Sequence, residues 1–300
     1  MTCRFPRDAW YSQSKTAAGK RRVQFSPNGA FGDVFKIACQ RCDMCRIDKA
    51  AAVGARVDLE MQTALSCGFE GAIFLTLTYS DEHLPSGGSL RPLDVQLFMK
   101  RLRAYLGRTF GGKRIRFFLA GEYGEALSRP HYHAIIIGHD FREDRRKWSK
   151  PGADQLYRSE SLEKLWPYGT ALFGDAGPGS GKYVAQYSLK KVFGDRAAAH
   201  YAGREPEFMR SSQGLGRNAF ELDMASNLAM DGVVTSDGKI NPIPRGLERY
   251  IPPEDLERVK AARVERSRDL VRRRNRTPAR LHVRAEVKLA RMRLYRSDRF

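Results

Sequence analysis

The sequence predicts an α+β fold in which a β-sheet packs against helices. Short runs rich in β-forming residues alternate with stretches that have helical periodicity, in the order strand, helix, strand, strand, helix, strand, helix. The chain has 300 residues, which is enough for one catalytic domain with appended segments.

The individual elements follow from local patterns. Val53, Val57 and Met61 recur at intervals of four, as expected for a buried helix face, and Pro92 suits the first turn of a second helix. The second and third strands are joined by a short linker, so we expect them to pair antiparallel. In chain order, the predicted elements are a helix over 50–65, a strand over 72–79, a helix over 92–106, strands over 115–120 and 132–137, a short helix near 162–166, a strand over 170–173 and a helix over 182–191.

Composition divides the chain into four predicted segments. Residues 1–67 form a basic, cysteine-rich segment with a helix, and 68–195 hold the sheet-forming catalytic region. Residues 196–250 show weak signals and are expected to be an irregular connection. Residues 251–300 carry 16 Lys or Arg against 7 Asp or Glu and have a helical composition, which predicts a basic DNA-binding tail or a solvated charged helix.

The charge of the chain favours a polyanionic partner. There are 53 Lys and Arg against 34 Asp and Glu, a formal net charge of +19. No apolar run approaches the roughly 20 residues that span a bilayer, and the polar start lacks a signal-peptide core, so we expect no membrane association and a cytoplasmic location. Five cysteines, three of them within CQRCDMC, argue against a disulfide framework.

The segment HYH predicts a cation site. His131 and His133 are two apart on a strand, so both imidazoles leave the same face of the sheet. A hard cation also needs an oxygen ligand, and Glu122 is the best candidate because it ends the neighbouring strand. Glu125 and His83 are the alternatives. The competing interpretation is that both histidines are hydrogen-bonded residues of a sheet face.

A pair of tyrosines follows. Tyr183 and Tyr187 are four apart, so both phenols lie on one stripe of a helix. A phenol with an ordinary pKa of about 10 is a poor nucleophile and needs a nearby cation to stabilise developing charge at a phosphate. Lys190, Lys191 and Arg129 are candidate contacts to phosphate. Alternatively, the tyrosines belong to the core or rim of an amphipathic helix. Glycines at 177, 179 and 181 predict a hinge before this helix.

The cysteines have the spacing of a zinc site. Iron–sulfur binding is less well supported because Lys49 stands where a fourth cysteine of the ferredoxin run is needed. Cys67 is an alternative ligand, and reduced, unligated thiols are the competing interpretation. The proposed four-sulfur site consists of Cys3, Cys39, Cys42 and Cys45.

Three segments in order resemble the motifs of the HUH endonuclease superfamily. FLTLTYSDEHLP resembles its first motif, HYHAI the second and YVAQYSLKK the two-tyrosine third. Within that superfamily the chain is most similar to the rolling-circle replication initiators of small single-stranded DNA phages, the microviruses and especially the gokushoviruses. The CQRCDMCR segment also resembles the cysteine cluster of this phage group.

The resemblance implies a fold, an activity and residue roles. It implies a central antiparallel sheet flanked by helices, the HUH or RRM-like core. Tyr183 and Tyr187 would be alternating nucleophiles, and His131 and His133, with Glu122 as the third ligand, would bind Mg²⁺ or Mn²⁺. The protein would nick one strand at the replicative-form origin, keep the 5′ end as a phosphotyrosine, leave a 3′ hydroxyl primer and later rejoin the displaced strand into a circle.

The expected partners are origin DNA, single- and double-stranded, together with a host helicase and polymerase in the host cytoplasm. A helicase must come from elsewhere because the P-loop-like AGPGSGKY has Ala176 and Tyr183 at two positions that the motif needs as Gly and Ser or Thr. Two rival functions remain: an HUH transposase or relaxase, and a non-catalytic, basic, zinc-containing nucleic-acid-binding protein.

Overall fold

A computed structural model describes residues 2–17, 19, 21–66, 71–148, 155–177, 179–187 and 191–297, with the backbone alone at 65, 66, 187, 272 and 294–297. The chain divides into two compact units, Met1–Lys49 with Lys260–Phe300, and Ala50–Val259. The predicted segment boundaries at 67, 195 and 250 do not coincide with this division and stay a prediction about functional organisation.

The elements are numbered in chain order. They are β1 (Arg7–Lys15), β2 (Arg21–Gln24), β3 (Ala30–Ile37), α1 (Asp43–Ser66), β4 (Ala72–Thr78), α2 (Pro92–Thr109), β5 (Arg116–Tyr123), β6 (Pro130–Ile137), β7 (Arg146–Lys147), β8 (Tyr157–Arg158), α3 (Glu160–Leu165), β9 (Ala171–Asp175), α4 (Ser180–Tyr187), α5 (Arg196–Tyr201), β10 (Phe208–Ser211), α6 (Arg217–Leu222), α7 (Met224–Met230), β11 (Gly232–Val234), β12 (Ile240–Pro242), α8 (Arg245–Glu248), α9 (Pro253–Arg268), α10 (Leu270–Arg274) and α11 (Pro278–Ser297).

The first unit contains a small antiparallel sheet in the order β2-β1-β3. Sequence periodicity did not indicate these strands. Most residues of β3 are exposed, so the strand lacks the alternation of buried and exposed positions that makes a half-buried strand recognisable. The basic tail is helical as predicted, in α9, α10 and α11.

The second unit is built on a seven-stranded sheet in the order β10-β5-β6-β4-β9-β8-β7, with every neighbouring pair antiparallel. The β5–β6 pairing was expected from their short linker. The predicted α+β class, a central antiparallel sheet flanked by helices, is confirmed.

Side-chain alternation gives the central strands two buried faces. On β4, Ile73, Leu75 and Leu77 point to one face, where they pack with apolar residues of α2 and α3. On β5 and β6, Phe118 and Ile135 point to the opposite face, against α1 and α4. The sheet of this unit is therefore covered by helices on both sides, with β6 near its centre.

The stretch 196–250 is more ordered than the sequence indicates. Its strand β10 pairs with β5 and extends the central sheet, and the hairpin β11–β12 and four short helices follow. These elements are three to seven residues long, too short to give a periodic signal. Among the described helices, none is long and apolar enough to cross a membrane.

Candidate functional site

Strand register places the predicted oxygen ligand next to the histidines. In the β5–β6 ladder Glu122 lies directly opposite His131. On the other side of β6, Thr76 of β4 lies opposite His133. Because cross-strand partners share a face of the sheet, Glu122, Thr76 and both histidines project on the same side.

The three candidate ligands form a compact group. The Glu122 Oε1 atom is 2.8 Å from His131 Nε2 and 3.4 Å from His133 Nε2. One potential ligand atom from each residue lies within 4.8 Å of the other two. Glu122 is only 2% exposed, so its carboxylate is removed from water and needs nearby positive charge.

The surroundings of His131 suit a cation. Its Nδ1 is 3.1 Å from the Arg129 carbonyl oxygen and its Nε2 is 2.8 Å from Glu122 Oε1. Both neighbours accept hydrogen bonds, so this histidine must either carry two protons or share the carboxylate with a bound cation. With Nδ1–H donated to the carbonyl, the Nε2 lone pair is available as a ligand. The residues present therefore fit a divalent cation.

His133 is held in the same way by a side chain. Its Nδ1 lies 3.1 Å from Thr76 Oγ1, while its Nε2 faces Glu122. The two imidazole rings are 5.0 Å apart and nearly perpendicular. Each histidine thus has one nitrogen fixed outside the group and the other directed into it.

The residue between the histidines anchors the strand on the opposite face. The Tyr132 hydroxyl is 3.0 Å from the Tyr79 hydroxyl, accepts from the Arg91 backbone N–H at 2.9 Å, and lies 3.1 Å from the Arg91 carbonyl oxygen. The Tyr79 hydroxyl in turn donates to Asp94 at 2.7 Å. These bonds attach the histidine strand to the start of α2, and burial raises the pKa of Tyr132 to about 12.

The tyrosine helix α4 packs on the same face of the sheet as the histidines. Val184 and Ala185 are fully buried there, with Phe118 and Ile135 beneath them. Tyr183 is 39% exposed. Its ring lies 5.6 Å from the Phe74 ring, which is itself 5.5 Å from the His133 ring. Phe74 therefore links the tyrosine helix to the histidine pair.

Close glycine packing brings α4 against α1. A Cβ atom on Gly54 would lie 2.8 Å from Lys182 Cβ, and one on Gly181 would lie 2.5 Å from Val57 Cβ. The two helices approach too closely for a methyl group at either position. Gly181 is therefore a packing residue, in contrast to the hinge role that the sequence suggested.

The other predicted residues have varied surroundings. Tyr187 is the last residue of α4, and its side chain, like the whole of Lys190, lies outside the described residues. The ammonium group of Lys191 is 5.8 Å from the Phe193 ring centroid. The Arg129 guanidinium donates to Asp81 Oδ1 at 2.5 Å and to the Tyr79 carbonyl at 3.0 Å.

The two alternative ligands are not in the three-residue group. Glu125 is exposed in the β5–β6 loop, and His83 lies 3.0 Å from Ser80 Oγ. Sequence reasoning missed the positions of Phe74 and Thr76, which it assigned to a supporting strand. The signal was available, since alternation along β4 puts both on the face of the histidines.

The four cysteines predicted to bind zinc lie together in the first unit. Their sulfur atoms are all within 4.8 Å of one another, with Cys3–Cys42 and Cys39–Cys45 both at 3.9 Å. Tetrahedral Zn²⁺ with Zn–S bonds of about 2.3 Å places its sulfurs about 3.8 Å apart. All four are free thiols. Cys67 falls outside the described residues.

The cysteine site also has donors suited to thiolates. Burial opposes ionisation of Cys39, but hydrogen bonds from the backbone of Arg41 and Cys42 outweigh it and lower the pKa of the thiol to about 7. The N–H of Cys39 itself lies 3.2 Å from Cys3 Sγ. Such N–H···S contacts favour the charged sulfurs that a metal requires.

The first unit also joins the two ends of the chain. The Arg4 guanidinium contacts both ring nitrogens of His282 at 3.0 Å and pairs with Asp43 at 3.3 Å and Glu286 at 3.6 Å. Arg4 follows the cysteine ligand Cys3 directly. These contacts fasten helix α11 of the basic tail beside the cysteine site.

Comparison with known proteins agrees with this arrangement. Residues 72–192, which hold the histidines, Glu122 and both tyrosines, match the family model of the ORF2-type replication-associated proteins. Replication-associated protein VP4 of Bdellovibrio phage phiMH2K is 32% identical over 221 residues, covering 70% of this chain and 66% of its own length. The chain belongs to the phage replication-associated protein family.

Two further members of this family give similar matches. Replication-associated protein ORF2 of Spiroplasma virus 4 is 29% identical, with 74% of this chain and 67% of its own length covered. Replication-associated protein ORF4 of Chlamydia phage 1 is 30% identical, with 72% and 52% covered. The matched part thus spans about half to two thirds of these relatives. No solved structure matches the chain.

Proposed function

We propose that this replication-associated protein initiates rolling-circle replication by nicking one DNA strand at the origin through a tyrosine nucleophile. The observation that carries the proposal is the convergence on one sheet face of a carboxylate, two histidines and the tyrosine helix. Glu122 and His131 are held 2.8 Å apart, and Phe74 contacts the rings of both His133 and Tyr183. A phosphodiester-transfer site needs both a cation site and a nucleophile.

The cation would be held by Glu122, His131 and His133. Two imidazole nitrogens and one carboxylate oxygen, in a site open to further oxygen ligands, suit Mg²⁺ or Mn²⁺. When bound, such an ion polarises the phosphate and stabilises charge in the transition state. The Arg129 carbonyl and Thr76 would keep the two imidazoles in the ligand tautomer.

The chemistry is a balanced transesterification. The hydroxyl of Tyr183 or Tyr187 attacks phosphorus, the bond to the 3′ oxygen breaks, and the proton lost by the phenol is matched by one gained on that oxygen. The products are a 5′-phosphotyrosine and a 3′ hydroxyl that primes synthesis. The second tyrosine then cuts the regenerated origin, and the released 3′ hydroxyl attacks the first phosphotyrosine to close a single-stranded circle.

DNA binding would draw on charge throughout the chain. The net charge of +19 supplies a field for origin DNA, single- or double-stranded, and α9 to α11 carry much of it. Lys190 and Lys191 follow the tyrosine helix and remain candidate phosphate contacts. Arg129 would reach phosphate only by exchanging its Asp81 partner. Host helicase and polymerase would complete replication in the host cytoplasm.

We also propose that Cys3, Cys39, Cys42 and Cys45 bind a structural Zn²⁺. The supporting observation is the spacing of their sulfurs, close to the edges of a ZnS₄ tetrahedron. The purified full-length protein should contain one zinc per chain. Cys45→Ser should lose the metal and lower the unfolding temperature, whereas Cys67→Ser should keep both. Equal zinc content in the two variants would contradict the site.

The nicking proposal is tested with supercoiled plasmid carrying the replicative-form origin, in Mn²⁺ or Mg²⁺. We expect nicked circles with protein attached to the 5′ end after denaturation. The His131→Ala, His133→Ala double variant should abolish the product, whereas His200→Ala, a change at an exposed histidine of α5, should not. No covalent product with either cation would leave the non-catalytic DNA-binding alternative.

Comparing the tyrosine variants distinguishes the two-tyrosine cycle from single-tyrosine transposases or relaxases. Tyr183→Phe and Tyr187→Phe should each block repeated nicking and circularisation, and the double variant should form no covalent complex. Tyr157→Phe, on β8, is the matched control. The alternating mechanism fails if either single variant completes the cycle repeatedly at the wild-type rate.

A further inference from the structure

One face of the small sheet in the first unit is lined by exposed apolar side chains. In the strand register, Tyr11 on the central strand β1 lies opposite Val23 of β2 on one side and opposite Phe31 of β3 on the other. These three side chains are 45%, 46% and 51% exposed in that order. A row of this kind across a sheet face is not explained by burial in a core.

Two more aromatic rings extend this row. Phe35 shares the face because it pairs with Ala9, and its ring lies 4.7 Å from that of Tyr11. Phe25, directly after β2, is 51% exposed. We call the set Tyr11, Phe25, Phe31 and Phe35 the aromatic face.

Arginines are placed directly against these rings. The guanidinium carbon of Arg21 is 3.6 Å from the Phe31 ring centroid, and that of Arg7 is 4.0 Å from the Phe25 centroid. Both distances are within the range of cation–π contacts, which hold the guanidinium at the edge of the apolar surface.

The surrounding charge is positive. The three strands carry five basic residues and two carboxylates. Asp8 is already paired with Lys36 at 2.6 Å, which leaves Asp33, in the irregular part of β3, as the other acid. The aromatic face is therefore bordered by a net excess of cations.

We propose that the aromatic face is a stacking platform for single-stranded DNA. Exposed rings stack on unpaired bases, and arginines beside them contact the phosphates between those bases. Duplex DNA keeps its base faces stacked on one another, so the platform should favour single strands. The identity of the ligand rests on the proposed function, in which a displaced single strand is produced and later rejoined.

Charge argues against a second copy of the chain as the occupant. Two such faces related by a twofold axis would bring Arg7 and Arg21 of one chain near their own equivalents. That arrangement would place like charges together without compensating carboxylates. A polyanion is the better complement to this surface.

The test measures equilibrium binding of full-length protein to fluorescein-labelled oligo-dT and to a labelled duplex, in EDTA. This binding needs no origin sequence, metal or tyrosine nucleophile, so its failure is distinct from a failure of nicking. Phe31→Ala should weaken oligo-dT binding at least about fivefold and leave duplex binding within about twofold, since one base stack is worth about 1 kcal/mol or more. Phe31→Trp, which keeps an aromatic ring, should retain affinity.

A matched control lies in the second unit. Trp148 is 56% exposed and has Arg158 4.6 Å from its ring centroid, the same kind of arginine–aromatic pair. Trp148→Ala should leave oligo-dT binding unchanged. Arg21→Gln should lower the slope of log affinity against log salt by about 0.7, the value for one phosphate contact to a single strand, whereas Phe31→Ala should leave the slope unchanged.

Three results would overturn the proposal. One is unchanged oligo-dT affinity in Phe31→Ala, Phe25→Ala and Tyr11→Ala. Another is an equal loss of single-strand and duplex affinity, and the third is a wild-type dimer that these variants abolish, since a second copy would then cover the face. Photocrosslinking of iodouracil-substituted DNA to wild-type protein needs no variant to fold. Crosslinks at Tyr11, Phe25 or Phe31 support the platform, and crosslinks confined to other residues contradict it.

Discussion

At the scale of single residues, the candidate cation site depends on groups that hold the ligands as much as on the ligands. The Arg129 carbonyl and the Thr76 hydroxyl each lie 3.1 Å from the Nδ1 atom of one histidine. A neutral imidazole that donates from Nδ1 offers the lone pair on Nε2. The two histidines are thus prepared for the same side of the sheet by one backbone and one side-chain acceptor.

This arrangement predicts the effect of Thr76→Val, a nearly isosteric change that removes the oxygen beside His133. Mn²⁺ affinity should fall about 10- to 100-fold, the usual cost of losing a group that orients a metal ligand. Calorimetric titration with Mn²⁺ and the Mn²⁺ dependence of nicking both measure it. The control is Thr78→Val, two residues along the same strand face, whose hydroxyl faces the Thr170 carbonyl at 3.4 Å. Equal losses in the two variants would contradict the orienting role.

Residue patterns in the sequence predicted much of this site because strand geometry has a fixed period. Two histidines two apart, and a glutamate at the end of the adjoining strand, are brought together by antiparallel register alone. The carbonyl of Arg129 could not be predicted, since backbone groups carry no sequence signal. The contact of Phe74 with Tyr183 depends on how α4 packs on the sheet, which periodicity does not specify.

At the scale of elements, the position of the tyrosine helix depends on its crossing with α1. Gly54 and Gly181 let the two helices approach within a distance that no larger residue permits. Val184 and Ala185 then seat α4 on β5 and β6. The nucleophile is therefore positioned by packing on two sides, by a helix and by the sheet that carries the histidines.

Gly181→Ala should displace this helix. The added methyl would lie 2.5 Å from Val57 Cβ, so the helices must separate, at a cost of about 1–3 kcal/mol. We expect a lower unfolding temperature and slower nicking with unchanged Mn²⁺ affinity, because Glu122 and the histidines belong to the sheet. Gly107→Ala, in α2 with nothing within 4 Å of its Cβ, should instead stabilise the protein by about 0.5–1 kcal/mol. Wild-type nicking by Gly181→Ala would mean that α4 tolerates the shift.

Elements were predictable in proportion to their length and burial. The predicted helix from Pro92 and the strand from Ala72 match α2 and β4 closely, since both have strong apolar periodicity. The strands of the first unit and β10 gave no such signal. The former are exposed on much of their surface, and the latter has four residues whose position comes from pairing with β5.

At the scale of the molecule, long-range contacts determine how the chain is organised. Arg4 reaches His282 across 278 residues, so both ends of the sequence belong to one compact unit. No local pattern indicates such a pairing, which explains why boundaries inferred from composition differ from the compact units. The same unit contains the four cysteines, the aromatic face and helix α11.

The stability of the whole molecule should decline at alkaline pH, partly through Tyr201. Burial, the hydrogen bond that its hydroxyl donates to Glu207 and the nearby negative charge raise the pKa of Tyr201 from an ordinary value of 10.0 to about 12. In the unfolded chain the phenol ionises near pH 10, whereas in the folded chain it keeps its proton. The folded state therefore binds more protons between pH 10 and 12, and its stability falls as pH rises through that window.

Across this window the loss assigned to Tyr201 is about 2 kcal/mol, since each unit of pKa difference corresponds to about 1.4 kcal/mol and solvent screens part of it. Urea unfolding from pH 9 to 11.5 measures the slope. Tyr201→Phe should be less stable than wild type at pH 8, because it loses the bonds to Glu207 and to the Val192 N–H at 2.8 Å, yet its stability should fall less steeply above pH 10. Parallel pH profiles for the two proteins would show that the Tyr201 phenol ionises alike in the folded and unfolded chains.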